Sequence, residues 1–344
     1  MEHRICFNCI IRHFSPAWYA SVMGTGGFAN VLYLLSAKMP FLKPVAVALF
    51  FLNIFLFLIF IIRVGRWFLH FDKLIEDLKH PAMSNFFVTM PVGSLILGTN
   101  FFMIGKEYFS MAFIVTLGTI LWVYVVALAL IFGVFVTYNM MITENIGPEL
   151  TNYSWYITPV ASIVVPLLGN LLVKAYETKN TELAKLINII DIVFYGIGLM
   201  LFVILSSIIL NRFISHTMPH AMATPTFWII LGPIGVGTVS LMGIAGASKE
   251  IGLILAVDTL KMLSLILWRF GLWAFVLTVI ITIKYLIEGG IPFSLSWWAF
   301  IFPLSAYTLS AFNVFMYTKI QLIYWYTVLL AILLAILWIS TFIK

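Results

Sequence analysis

Few residues in this chain of 344 could do chemistry. Cys6 and Cys9 form a C-x-x-C with His3 and His13 nearby, the spacing of half a metal or redox site. There is no second cysteine pair to complete it, and two small apolar residues on a short amphipathic lead-in fit the pattern as well. His216 and His220 can titrate near neutral pH, but they sit in a polar connection where histidines are usually just solvated. Asp258, Lys261 and Arg269 interrupt an otherwise apolar run over 253–287. Charges at such positions either attract an anion or couple its movement, or they snorkel to the interface. No H-E-x-x-H, clustered aspartate motif or nucleophilic triad is present, so the chain predicts no enzyme, no metal and no cofactor. What remains is a scatter of hydroxyls in apolar surroundings: Ser21, Thr25, Thr89, Ser94, Ser162, Thr238, Ser240, Ser305 and Thr308. A hydroxyl can donate one hydrogen bond and partly replace water around an anion, or it can bond back to the carbonyl one turn earlier.

The elements that must position these groups are set by composition. Hydrophobic residues make up 63% of the chain and charged residues 9%, against about 25% charged in a soluble domain. That is an integral membrane protein, and a helical span needs about 20 apolar residues. Continuous apolar runs exclude a β-barrel, whose strands alternate. The formal charge of +6 is spread in ones and twos over loops, so the lipid bilayer is implied as a partner and nucleic acid is not. Ten spans fit: 14–36, from Pro40 and Pro44 to 62, from 83 onward, 109–138, 153–175, 186–210, 225–247, 253–287, 297–316 and 320–342. Leu69, Lys73, Glu76 and Leu78 suggest a short interfacial helix between the second and third spans. Residues 1–13 form a short N-terminal segment and 14–344 a single transmembrane domain.

Prolines sort by span. Pro16, Pro91, Pro159 (or Pro166), Pro233 and Pro303 fall in the odd spans, recurring about every 70 residues, and the even spans have none in their interiors. The odd spans also hold most membrane glycines, among them Gly24, Gly93 and Gly235. A proline leaves the carbonyl four residues earlier without its donor, which in hydrocarbon is tolerated where the group faces protein or a lumen. Small residues let backbones approach closely. The pattern predicts a helical hairpin used five times, with an inner ring of five kinked helices inside an outer ring of straight ones.

Several stretches then carry a family resemblance. Phe14-Ser15-Pro16-Ala17-Trp18-Tyr19 through Gly24-Thr25-Gly26, Ser84-Asn85-Phe86-Phe87-Val88-Thr89-Met90, Thr158-Pro159-Val160, Gly232-Pro233-Ile234-Gly235 and Trp297-Trp298-Ala299-Phe300-Ile301-Phe302-Pro303-Leu304 resemble, in order, the odd helices of the tellurite-resistance/dicarboxylate transporter family. That family includes slow-type anion channels, malate permeases and sulfite efflux pumps. The resemblance implies an all-α fold of ten helices with quasi-five-fold symmetry around a pore, a homotrimer in the plasma membrane, and an anionic small-molecule substrate. It implies a pore-plugging phenylalanine on the ninth helix, with Phe302 as the better match and Phe300 as the second. A phenyl ring in a narrow lumen makes a hydrophobic constriction, and Gly24, Gly93 and Gly235 would give it room to swing. Helical periodicity places Phe302, Ser305, Ala306, Leu309 and Asn313 on one face. With Thr25, Thr89, Ser162 and Thr238, the residues Ser305, Leu309 and Asn313 are the expected pore lining. The function expected is passage of small inorganic anions or C4-dicarboxylates such as malate. Proton-linked dicarboxylate transport and sulfite export are the alternatives.

Overall fold

The computed structural model describes residues 11–12, 14–61, 68–80, 83–144, 146–148, 150–253 and 256–344. Helices in chain order are α1 (Tyr19–Leu35), α2 (Lys43–Phe60), α3 (Phe71–Lys79), α4 (Thr89–Met103), α5 (Met111–Ile142), α6 (Ile157–Ile163), α7 (Val165–Tyr176), α8 (Thr181–Ser215), α9 (Leu231–Glu250), α10 (Val257–Ile287), α11 (Trp298–Thr318) and α12 (Gln321–Ile343). No strand occurs among the described residues. With the turns that lead into them, nine of these helical stretches are long and apolar enough to cross a bilayer among the described residues. The protein is therefore a multi-pass, all-α membrane protein. α1 is shorter, 17 residues, and diluted by Gly24, Gly26, Gly27 and Asn30.

Burial divides the spans into two classes. The stretches that contain α4, α6–α7, α9 and α11 are 72–89% buried, whereas α2, α5, α8, α10 and α12 are 22–28% buried. α1 belongs with the first class, since all but three of its residues are buried. Each buried helix packs on the exposed helix that follows it. The buried helices also pack on one another in a cycle: α1 on α4, α4 on α7, α7 on α9, α9 on α11, and α11 back on α1. Glycines make those contacts close. A Cβ on Gly27 would lie 2.2 Å from Ser305 Oγ, and one on Gly235 would lie 2.5 Å from the backbone of Ala306 and Tyr307.

The prolines sit differently from the expectation of mid-span kinks. Pro16 opens a 3-10 turn, Pro16–Trp18, whose free N–H groups are capped by Ser15. Pro91, Pro159 and Pro233 are each the third residue of their α-helix, and Pro166 is the second of α7. A first-turn residue needs no intrahelical donor, so a proline there starts a helix without breaking it. Pro303 is the exception, five residues inside α11. Where α6 gives way to α7 at Val164, the Ile163 carbonyl accepts from Ser240 Oγ at 2.8 Å, so the break is satisfied by a neighbouring helix, as hydrocarbon requires. The interfacial helix between the second and third spans is present as α3, with Lys73 bonded to Glu76 at 2.7 Å.

A buried amide cluster ties α1, α2 and α4. Asn53 Nδ2 donates to Asn100 Oδ1 at 2.9 Å, and Asn100 Nδ2 donates to Gly26 O at 2.9 Å and to Asn30 Oδ1 at 2.7 Å. Orphaning a buried hydrogen-bonding group costs about 1–3 kcal/mol in general, while bonds between membrane helices average only about 0.6 kcal/mol. Asn100→Ala, which takes the partner from Asn53 Nδ2 and Asn30 Oδ1, is expected to lose about 2 kcal/mol of stability, measured by thermal unfolding in detergent.

Candidate functional site

Two cavities lie along the cycle of buried helices. The first, about 240 Å³, is lined from the N-terminal halves of those helices. Ala20 and Met23 face it from α1, Thr89 from α4, Ile157 and Val160 from α6, Gly232 from α9, and Trp298, Ala299, Phe302 and Pro303 from the start of α11. The second, about 290 Å³, is lined from further along the same stretches: Asn30 and Leu34, Ile96 and Thr99, Leu167 and Leu171, Val236 and Val239, then Ser305, Leu309 and Asn313. The five helices thus run in the same direction past both cavities, and no residue of α2, α5, α8, α10 or α12 lines either.

Phe302 is the residue common to both linings. It is 5% exposed and borders both spaces. Pro303, next to it, cannot donate to the Ala299 carbonyl, and both residues line the first cavity. Phe300 lines neither. It packs edge-on against Trp228 (5.5 Å between centroids) and Trp297 (5.7 Å).

Of the other lining candidates, Thr89 reaches the first cavity, and Ser305, Leu309 and Asn313 reach the second. Thr25, Ser162 and Thr238 line neither. Thr25 Oγ1 accepts from Trp338 Nε1 of α12 at 3.1 Å, Ser162 faces an outer groove shared with α5 and α8, and Thr238 donates back to Ile234 O at 2.8 Å. Gly24, Gly93 and Gly235 are also absent from both linings. Gly24 meets Ile301 and Trp298, Gly93 meets Tyr19, and Gly235 meets the α11 backbone, so they serve helix contacts. The glycine beside the first cavity is Gly232, with nothing nearer than 3.5 Å. Ser15, Thr226 and Ser296 on the first cavity, and Asn30 and Thr99 on the second, are polar lining residues that the sequence pattern passed over.

The chemistry of the lining is weakly coordinating. No charged residue among the described ones lines either cavity. Thr99 and Ser305 spend their single protons on Ile96 O and Phe302 O at 2.7 Å each, and Thr89 has Phe86 O at 2.7 Å and Pro16 O at 2.9 Å as acceptors for its own. Asn313 Nδ2 donates to Leu309 O at 2.9 Å. Strong binding would hinder release from a conducting path, and these groups offer little of it. The suspect charges lie elsewhere. Arg269 is exposed on α10, and Lys261 stands over the Tyr317 ring at 5.0 Å. Asp258, Lys261 and Arg269 are all inside α10, which begins at Val257. At the loop between α4 and α5, Glu107 accepts from Lys43 at 2.9 Å and Tyr33 at 2.7 Å, and these bonds hold its carboxyl below the usual range. His216 and His220 are exposed. Cys6, Cys9, His3 and His13 lie outside the described residues, and no group of three or more metal-binding side chains occurs among the described ones.

Comparison with known proteins agrees with this architecture. The family model for the voltage-dependent anion channel, SLAC1, matches residues 13–344. An uncharacterized transporter of Methanocaldococcus jannaschii is 39% identical over 337 residues, covering 97% of this chain and 93% of that protein. A sulfite efflux pump of Arthroderma benhamiae is 28% identical over 87% of this chain and 80% of its own length. A malic acid transport protein of Schizosaccharomyces pombe is 20% identical over 85% of this chain and 68% of its own length. With nearly every residue matched and transporters throughout, the chain belongs to the voltage-dependent anion channel family.

Proposed function

We propose that this protein moves small anions through a pore along the axis of the five buried helices, with Phe302 as its gate. The observation that carries the reading is that Phe302 is the one described residue common to the linings of both cavities. On this reading α1 with its leading turn is a tenth span, and the chain from 14 to 344 is one domain of five helical hairpins with quasi-five-fold symmetry. Family resemblance supports a homotrimer in the plasma membrane. Thr89 lies on one side of the gate, and Ser305, Leu309 and Asn313 on the other. The absence of charge from the linings favours rapid, weakly selective passage in which the cost of shedding water sorts the anions. Relatives named for sulfite efflux and malic acid transport make sulfite and C4-dicarboxylates the substrates to test beside chloride.

The test is a flux assay in proteoliposomes with chloride, sulfite and malate, run on the unaltered protein and on Phe302→Ala. The expected result is movement of at least one anion, faster in the variant. Failure of all three to move in both forms overturns the reading.

A further inference from the structure

Four of the ten buried side-chain polar atoms without partners among the described residues lie on α7 and α8, which meet α9 there. Asp191 on α8 is fully buried; its Oδ1 accepts from Trp122 Nε1 at 3.1 Å, and its Oδ2 has no hydrogen-bond partner. Around it, Asn170 Oδ1 of α7 and Asn188 Nδ2 and Tyr195 OH of α8 are also buried without partners. Asn188, Asp191 and Tyr195 follow helical spacing, so α8 turns one polar face toward the inner helices. Asn188 Oδ1 accepts from Ser248 Oγ of α9 at 2.9 Å, and Asn170 Nδ2 donates to Ser240 O of α9 at 3.2 Å. The Asp191 carboxyl lies so close to α7 that a Cβ on Gly169 would come within 2.0 Å of Oδ2.

We propose that Asp191 is a proton-binding site whose occupancy sets the position of α7 and thereby the width of the second cavity. An unpaired charge at this depth is costly, and no counter-charge faces it. α5 contributes Trp122 and has no charged residue along its length. α6 has none, and the Lys174 of α7 is turned to Glu250 of α9 at 3.5 Å. Lys249 and Glu250 sit in the last turn of α9. On α8 itself Glu182 and Lys185 pair at 2.9 Å near its start, Arg212 is bonded to Pro148 O and Thr217 O near its end, and Tyr195 is the titratable neighbour one turn on. When the proton leaves, the carboxylate can be stabilised only by water entering the seam, and that requires α7 to move off α8. α7 is an inner helix, so moving off α8 carries Leu167 and Leu171 toward the second cavity, which they line. Anion flux is then greatest with Asp191 protonated and falls as pH rises.

The inference rests on the transport reading, and its test separates the two. Flux through the unaltered protein is expected to fall about tenfold from acidic to alkaline medium, the size of an ordinary coupling between two sites. Asp191→Asn keeps the shape and the acceptor for Trp122 and is expected to hold the acidic rate at every pH. An acid-to-alkaline infrared difference spectrum of the purified protein reads the site without transport: a protonated carboxyl band is lost on raising pH, and Asp191→Asn lacks that band. Flux without pH dependence, pH dependence that survives in Asp191→Asn, or a missing band overturns the proton site while leaving transport standing. If Asp191→Asn does not fold, Trp122→Phe, which removes the donor to Oδ1, must displace the midpoint of the pH profile, and an unmoved midpoint overturns the proposal. Absence of flux at all pH values, in Phe302→Ala as well, overturns the transport reading instead.

Discussion

Phe302→Ala is expected to raise anion flux about 10- to 100-fold over the unaltered protein. Burying a phenyl-sized apolar surface is worth about 1.5–3 kcal/mol, and on the proposed path an anion crossing between the two cavities would meet that surface. With Phe302 as the proposed gate, removing it lowers the barrier by a similar amount, and each 1.4 kcal/mol is a factor of ten. Truncating a packed core phenylalanine costs about 3–5 kcal/mol in stability. Phe302 already faces empty space on two sides, so its loss is expected at the low end, about 3 kcal/mol or less. Phe300→Ala supplies the contrast. That ring is wedged between Trp228 and Trp297, so the change is expected to cost the full about 3–5 kcal/mol without raising flux. The measurements are flux in proteoliposomes and thermal unfolding of both variants. A rise in Phe300→Ala and none in Phe302→Ala would move the gate two residues back along the chain.

The alternation of buried and exposed spans could be read from the sequence because interior prolines, and most membrane glycines, fell in alternate segments. Glycine at Gly27 and Gly235 permits a backbone approach that leucine and isoleucine would block, so the pattern reports which helices are surrounded by others. The direction of each hydroxyl could not be read. Periodicity puts Phe302, Ser305, Leu309 and Asn313 on one face, and the second cavity indeed takes them together. Thr25, Ser162 and Thr238 lie on helices packed on nearly every side, where no apolar stripe marks the inside, and each turned to a neighbouring helix, an outer groove or its own carbonyl. The proline rule misled in another way: it located the odd helices but not their bends, because a proline in the first turn starts a helix. Asp191 was hidden by its setting, since an outer helix was expected to meet lipid. Its signal was nonetheless present, as an acid flanked by Ile190 and Ile192 with Asn188 and Tyr195 on the same face.

Two glycines three residues apart on α9 should respond in opposite ways to the same substitution. A Cβ on Gly235 would stand 2.5 Å from Ala306 C and Tyr307 N and 2.7 Å from Ala306 O. These are backbone atoms of α11 one turn beyond Phe302, and they cannot rotate aside, so α9 and α11 must separate. Overpacking of this kind costs about 1–3 kcal/mol and sometimes more, and a backbone obstacle puts Gly235→Ala at the upper end or beyond it. The separation would also move the helix that carries Phe302, so anion leak is expected to rise as stability falls. At Gly232 the nearest atoms are Val160 Cγ2 at 3.5 Å and Pro303 Cβ at 3.9 Å, which is ordinary contact. Gly232→Ala should therefore fold well and gain about 0.5–1 kcal/mol from the helix propensity of alanine. Its new methyl projects toward the first cavity beside Phe302, so in the Phe302→Ala background it is expected to lower flux while raising the melting temperature. Thermal unfolding and flux measured on both variants decide the matter. If Gly232→Ala leaves the open variant's flux unchanged, the first cavity is not on the anion's path.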